Sequence, residues 1–325
     1  MGQGPRVKEM NFDPLPLTPY PLPLTLMNHT AVILIALGGP RSLDEVGPFM
    51  EAFMGRPAPP PVVAAVQERY QLIGGRSPLP ELVKEQAAAL ERELGSGYRA
   101  YEGFRYSRPT VAESFDRAIR DGTGRVIALS MSPFSTEVTT GAYRSACEAL
   151  GSGETCPLFI PSWHDNPLFI EAWQERIFHG LRRYRETLRR HAAVIFTSHS
   201  IPLRYVQAGD PYRKQIEETA QIIAKRMALP RWFIAWQSKG ARATEPWLEP
   251  EVETVLDRVA KEKKGDFVLE VPLGFTCDHL ETLYDIDIVH RRHAEKLGLT
   301  FERAESLNTS PFFIKALADI VRKAG

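Results

Sequence analysis

The sequence predicts an α/β protein made of two similar halves, each built on a parallel sheet. Short β-branched runs of strand length alternate with longer amphipathic stretches, as βα units do. An internal echo supports two halves: Ala31-Val32-Ile33 leads to Pro40, and Ala193-Val194-Ile195 leads to Pro202 at the same spacing. In each half a buried-looking strand enters a small-residue turn, Gly38-Gly39-Pro40 or Ser198-His199-Ser200-Ile201-Pro202, and open α/β sheets bind ligands at such carboxyl ends.

Taken in order, residues 1–29 carry prolines at 5, 14, 16, 19, 21 and 23, a density that blocks helix and internal strand, so a disordered tail is expected. Met27 within it reads as an alternative start. The apolar run 31–37 is the first strand, and amphipathic patterns follow at 43–53, 60–72 and 80–94, the last two opening on a proline that suits a first helical turn. Strand 98–105, helix 110–121 and strand 126–131 complete a first half over 30–160. The second half, 161–310, reads as helix 167–190, strand 193–198, helix 211–227, strand 231–237, helix 252–263, strand 267–273 and helix 279–297. A last helix, 311–323, lies in a C-terminal segment 311–325.

The 325 residues carry 40 Lys plus Arg against 40 Asp plus Glu, so no global field exists to hold nucleic acid or an acidic membrane. Any charged ligand must meet a local patch. The basic segment Arg182-Arg183-Tyr184-Arg185 with Arg189-Arg190-His191 reads as a solvated helix face. Cys147, Cys156 and Cys277 form no CxxC pair and cannot complete a four-thiolate cage within one chain. With no signal-peptide pattern and no apolar run of membrane-spanning length, a cytoplasmic location is expected.

The densest chemistry lies in Gly274-Phe275-Thr276-Cys277-Asp278-His279-Leu280-Glu281-Thr282-Leu283-Tyr284-Asp285-Ile286-Asp287. If helical from Asp278, it stacks Asp278, Glu281 and Asp285 on one stripe. Two readings are open: a solvated acidic face, or oxygen ligands for a loosely held divalent ion. His199 follows a strand directly, where an imidazole serves as ligand or base, or has a structural role in the turn.

Several stretches together resemble the ferrochelatase family, which inserts ferrous iron into a porphyrin in haem synthesis. They are Leu37-Gly38-Gly39-Pro40, Tyr70 to Pro78, Gly103-Phe104-Arg105-Tyr106, Thr197 to Pro202, Asp210-Pro211-Tyr212, Trp236-Gln237-Ser238-Lys239, Pro246-Trp247-Leu248, Gly274 to Asp287 and Arg303 to Asn308. The resemblance covers residues 31–323. It implies a chelatase-like fold of two Rossmann-like halves facing a central porphyrin cleft. It implies that His199 and Glu281 are catalytic and, with Asp285, meet the metal. It places Leu37, Ser77, Arg105, Tyr106, Phe134, Trp247 and His279 with the porphyrin, and Arg105, Arg76 and Arg56 are candidates for its propionates.

The departures from the family matter as much. Ser130-Met131-Ser132-Pro133-Phe134-Ser135 stands where many members pair tyrosines around a proline. Cluster-bearing members place a cysteine at the position of Glu137 and others in a C-terminal extension, so no iron–sulfur cluster and no prosthetic group is expected, with Fe(2+) as substrate. The apolar lip is shortened to about residues 55–63, as in soluble bacterial forms, so stable membrane insertion is not expected while peripheral contact stays open. Leu37 stands where forms acting on coproporphyrin III often carry tyrosine, which favours protoporphyrin IX. A monomer or weak dimer is expected. The competing readings are a chelatase for another metal or tetrapyrrole, and a non-catalytic haem or metal carrier; such a carrier has no need of Glu281 and Asp285.

Overall fold

The computed structural model describes residues 29–151, 156–186, 190–240 and 245–325. The expected tail, except His29, and part of the basic segment lie outside the described residues. Two four-stranded sheets, parallel throughout, form the frame. The first contains β1 (Thr30–Ala36), β2 (Tyr98–Phe104), β3 (Arg125–Ser130) and β4 (Leu158–Ile160), in the order β2-β1-β3-β4. The second contains β5 (Ala193–His199), β6 (Trp232–Gln237), β7 (Phe267–Val271) and β8 (Thr300–Arg303), in the order β6-β5-β7-β8. The two orders are the same pattern, so the sequence echo between β1 and β5 marks equivalent central strands.

Each central strand is apolar because helices cover both faces of its sheet. Ala31 to Ile35 of β1 and Ala193, Ile195 and Phe196 of β5 are fully buried. Side chains alternate between faces. Val32 and Leu34 of β1, with Val194 and Phe196 of β5, therefore join one core that spans both halves. Ile33 and Ile35 face a separate cluster, and Ile195 faces another. The helix Pro311–Ala324 packs on helices Leu79–Leu94 and Pro167–Arg182, which ties the end of the chain back to the first half.

All six expected strands form, with ends shifted by a residue or two; β4 and β8 are additional. Both are short edge strands of three and four residues, too brief to print a periodic pattern. The helix expected over 167–190 stops at Arg182. The largest difference lies in 279–297: the helix starts at Glu281, winds as a π-helix to His290, and continues as α from Arg291 to Lys296. Asp278 therefore precedes the helix, and the three-carboxylate stripe does not form.

Candidate active site

Every strand end that approaches the gap between the sheets is a carboxyl end, the usual ligand address of parallel sheets. A cavity of about 430 Å³ lies there. Leu37 follows β1, Tyr106 lies just past β2, Met131 and Ser132 follow β3, His199 ends β5, and Gly274 to Cys277, His279 and Glu281 follow β7; all line the cavity. Leu37 and His199 are counterparts in the echo, so one half presents an apolar wall where the other presents an imidazole.

The opposite wall is reached through close packing at Gly274. A Cβ there would stand 2.0 Å from Ser198 Oγ and 3.0 Å from Ser198 Cα, so any larger residue would push β7 off β5. That approach brings His199 Nε2 to 3.5 Å from Glu281 Oε1, and His279 Nε2 to 3.6 Å from Glu281 Oε2. Both imidazoles engage a backbone carbonyl through Nδ1, His199 that of Ser200 and His279 that of Cys277. A carbonyl only accepts, so Nδ1 carries the proton and Nε2 points its lone pair at the carboxylate. Lone pairs facing lone pairs repel, and the arrangement is satisfied by a proton or a cation between them.

Burial pushes the Glu281 carboxyl up, but with a proton on the facing imidazoles the charge of His199 and the charge and hydrogen bond of His279 outweigh it and hold it below its ordinary range. The carboxylate is therefore ionised at neutral pH. The neighbouring phenols of Tyr70 and Tyr212 are pushed up by burial and by the negative charge of Glu281, and stay neutral donors. Tyr212 reaches the His199 carbonyl at 3.1 Å and supports that strand end from below.

Asp285 follows on the same helix. Burial and the charge of Glu281 raise its pKa, against a hydrogen bond donated by the Ser238 hydroxyl at 2.5 Å. Among the described residues no group of three or more His, Cys, Asp or Glu side chains is gathered to hold a metal, so the expected set of His199, Glu281 and Asp285 is a contacting pair with Asp285 held to one side by Ser238. Asp278 is engaged elsewhere: its Oδ1 accepts from Arg303 at 3.0 Å and Ser306 at 2.7 Å, and its Oδ2 from Asn308 at 2.9 Å. Arg303 also forks onto both oxygens of Asp287, fixing the π-helix against β8.

The expected porphyrin residues divide. Leu37, Tyr106 and His279 line the cavity. Arg105 is exposed, with its guanidinium over the Tyr106 ring at 5.0 Å. Trp247 stands behind His199, ring centroids 6.5 Å apart. Phe134 is a correction: it is wholly buried, edge-on to Phe169 and Tyr212, and belongs to the core behind the wall. Ser77 is buried against Gly39 and bonds Pro40 through its amide, a turn residue rather than a lining one. Among the lining residues, Phe53, Val138 and Tyr143 were not singled out from sequence. Phe53 and Val138 are exposed apolar side chains at the mouth, a signal that needs the fold to be visible.

The sequence profile of the family described as ferrochelatase matches residues 29–325. The chain belongs to the ferrochelatase family. Among its relatives, a ferrochelatase of Geobacter metallireducens is 37% identical over 321 residues, covering 92% of this chain and 100% of the relative. A coproporphyrin III ferrochelatase of a Geobacillus species is 32% identical over 300 residues, covering 90% and 96%. Among solved structures, SirB from Bacillus subtilis with Fe3+ superposes with a TM-score of 0.58 at 11% identity, over 91% of this chain and 95% of that one. CbiX, the terminal enzyme of sirohaem biosynthesis in denitrifying bacteria, gives 0.55 at 11% identity, over 91% and 99%. At that identity these two establish the chelatase fold. As a ferrochelatase-family enzyme, the chain acts in metal insertion into porphyrin for haem biosynthesis. Among the described residues no helix is long and apolar enough to cross a membrane.

Proposed function

We propose that this enzyme inserts ferrous iron into protoporphyrin IX, with the metal and the proton acceptors on the His199–Glu281 side. The observation that carries the reading is a carboxylate held between two imidazole Nε2 atoms in a largely apolar cavity. A porphyrin with two pyrrole N–H groups and Fe(2+) yield a neutral metalloporphyrin and two protons. In this reading His199 Nε2 takes one proton from the ring, and Glu281 stabilises the imidazolium that results. His279 Nε2, facing the other carboxylate oxygen, is a second acceptor for the second proton. Leu37 and Tyr106 supply the flat apolar walls that a macrocycle fills.

The choice between porphyrins rests on charge. Protoporphyrin IX carries two carboxylates and coproporphyrin III four. Among the described residues that line the cavity there is neither Lys nor Arg, and Arg105 stands exposed beside Tyr106. That arrangement suits the less charged ring. The relative named for coproporphyrin III makes that porphyrin the second reading. Anaerobic assays with Fe(2+) and each porphyrin separate the two: the higher kcat/KM identifies the substrate, and failure with both refutes the function.

A further inference from the structure

The corner at the carboxyl end of β6, Gln237 and Ser238, lies outside the residues that line the cavity, yet it touches both carboxylate-bearing residues of the helix Glu281–His290. In the parallel ladder Gln237 is the register partner of His199, and its carbonyl accepts from the Ser200 amide at 2.8 Å. Its side chain Nε2 donates to the Glu281 backbone carbonyl at 3.2 Å. One residue thus joins the strand end that carries His199 to the helix start that carries Glu281. The chain then turns at Ser238, whose hydroxyl donates to Asp285 Oδ2.

Both residues are costly as structure. Ser238 sits at φ 61°, the left-handed region where a side chain is disfavoured and glycine is free. Gln237 is 3% exposed, and its Oε1 is buried without a hydrogen-bond partner among the described residues. A glycine at 238 and an apolar residue of similar length at 237 would remove both costs. Strain and an orphaned polar atom kept beside a reactive pair point to function.

We propose that Gln237 and Ser238 are positioning residues for metal insertion, Gln237 setting Glu281 against His199 and Ser238 aiming Asp285. The inference rests on the iron-insertion reading above. Ser238→Gly relieves the turn but frees Asp285: the thermal midpoint holds or rises, while KM for Fe(2+) increases about tenfold and KM for protoporphyrin IX stays within about twofold. Gln237→Met removes the donor and the orphaned acceptor together, and kcat falls about tenfold with the thermal midpoint held. Ser238→Asn, whose side chain tolerates the left-handed turn and offers an N–H, restores much of the cation KM.

The test is anaerobic steady-state kinetics with Fe(2+) and protoporphyrin IX on wild type and the three variants, with thermal unfolding alongside. A loss of catalysis with stability held or raised is the expected signature. If the wild type works and Ser238→Gly and Gln237→Met match it in cation KM and kcat, the inference is overturned. A loss of stability with both KM values moving together assigns the corner to structure alone and overturns it equally. A wild type that forms no metalloporphyrin refutes the functional reading itself.

Discussion

Replacing Glu281 by glutamine keeps the shape of the side chain and removes the charge that an imidazolium at His199 would meet. At an effective dielectric of about 20, opposite unit charges at the observed 3.5 Å attract by about 5 kcal/mol. The two side chains are 36% and 28% exposed, so solvent screening reduces this to about 3 kcal/mol. If His199 becomes charged as it takes a pyrrole proton, that energy is gained on the way to the transition state, and losing it slows insertion about a hundredfold. The ring is held by walls such as Leu37 and Tyr106, so porphyrin affinity, read by fluorescence quenching, stays within about threefold. His199→Ala behaves alike. The double variant is little slower than either single one, because groups serving one event are non-additive. Near-normal turnover in Glu281→Gln, or losses that multiply in the double variant, would refute the argument.

The buried pair of Glu270 on β7 and His290 at the end of the π-helix makes stability depend on pH. Burial opposes the charge on His290, but Glu270, with help from Glu253 and Asp285, prevails and raises its pKa. A pKa raised on folding contributes stability that is full below about pH 6.5 and is lost as pH rises through the folded value. Urea denaturation across that window shows a decline that Glu270→Gln flattens; an unchanged slope in that variant refutes the assignment. Asp278→Ala leaves Ser306 and Asn308 without their acceptor and Arg303 short of one of its two carboxylates, costing about 3 kcal/mol in the same denaturation assay; a cost under about 1 kcal/mol would show that the cluster does not anchor the segment. Purified protein is expected to show no [2Fe–2S] absorption. Cys147 and Cys277 lie in separate cores where burial pushes both thiols up to about 12, and a cluster spectrum with matching sulfide would contradict this.

The sequence by itself determined the strands that are buried on both faces, since continuous apolar runs such as Ala31 to Ile35, strand-length and rich in β-branched residues, are stable where both faces are covered. The repeat of β1 in β5 was legible for the same reason, and so was the pairing of His199 with Glu281, through the family resemblance carried by the turns around them. Tertiary structure decided what each polar residue does. Asp278, Glu281 and Asp285 look alike in sequence, yet Arg303, His199 and Ser238 claim one each, and those partners come from β8, β5 and the corner after β6. Phe134 reads as well for a pocket wall as for a core, and packing against Phe169 and Tyr212 assigned it to the core. Gln237 and Ser238 lie in one of the family-like stretches, but nothing in that stretch says what they touch. A hydrogen bond across forty residues depends on where two strands and a helix converge, which local periodicity does not encode.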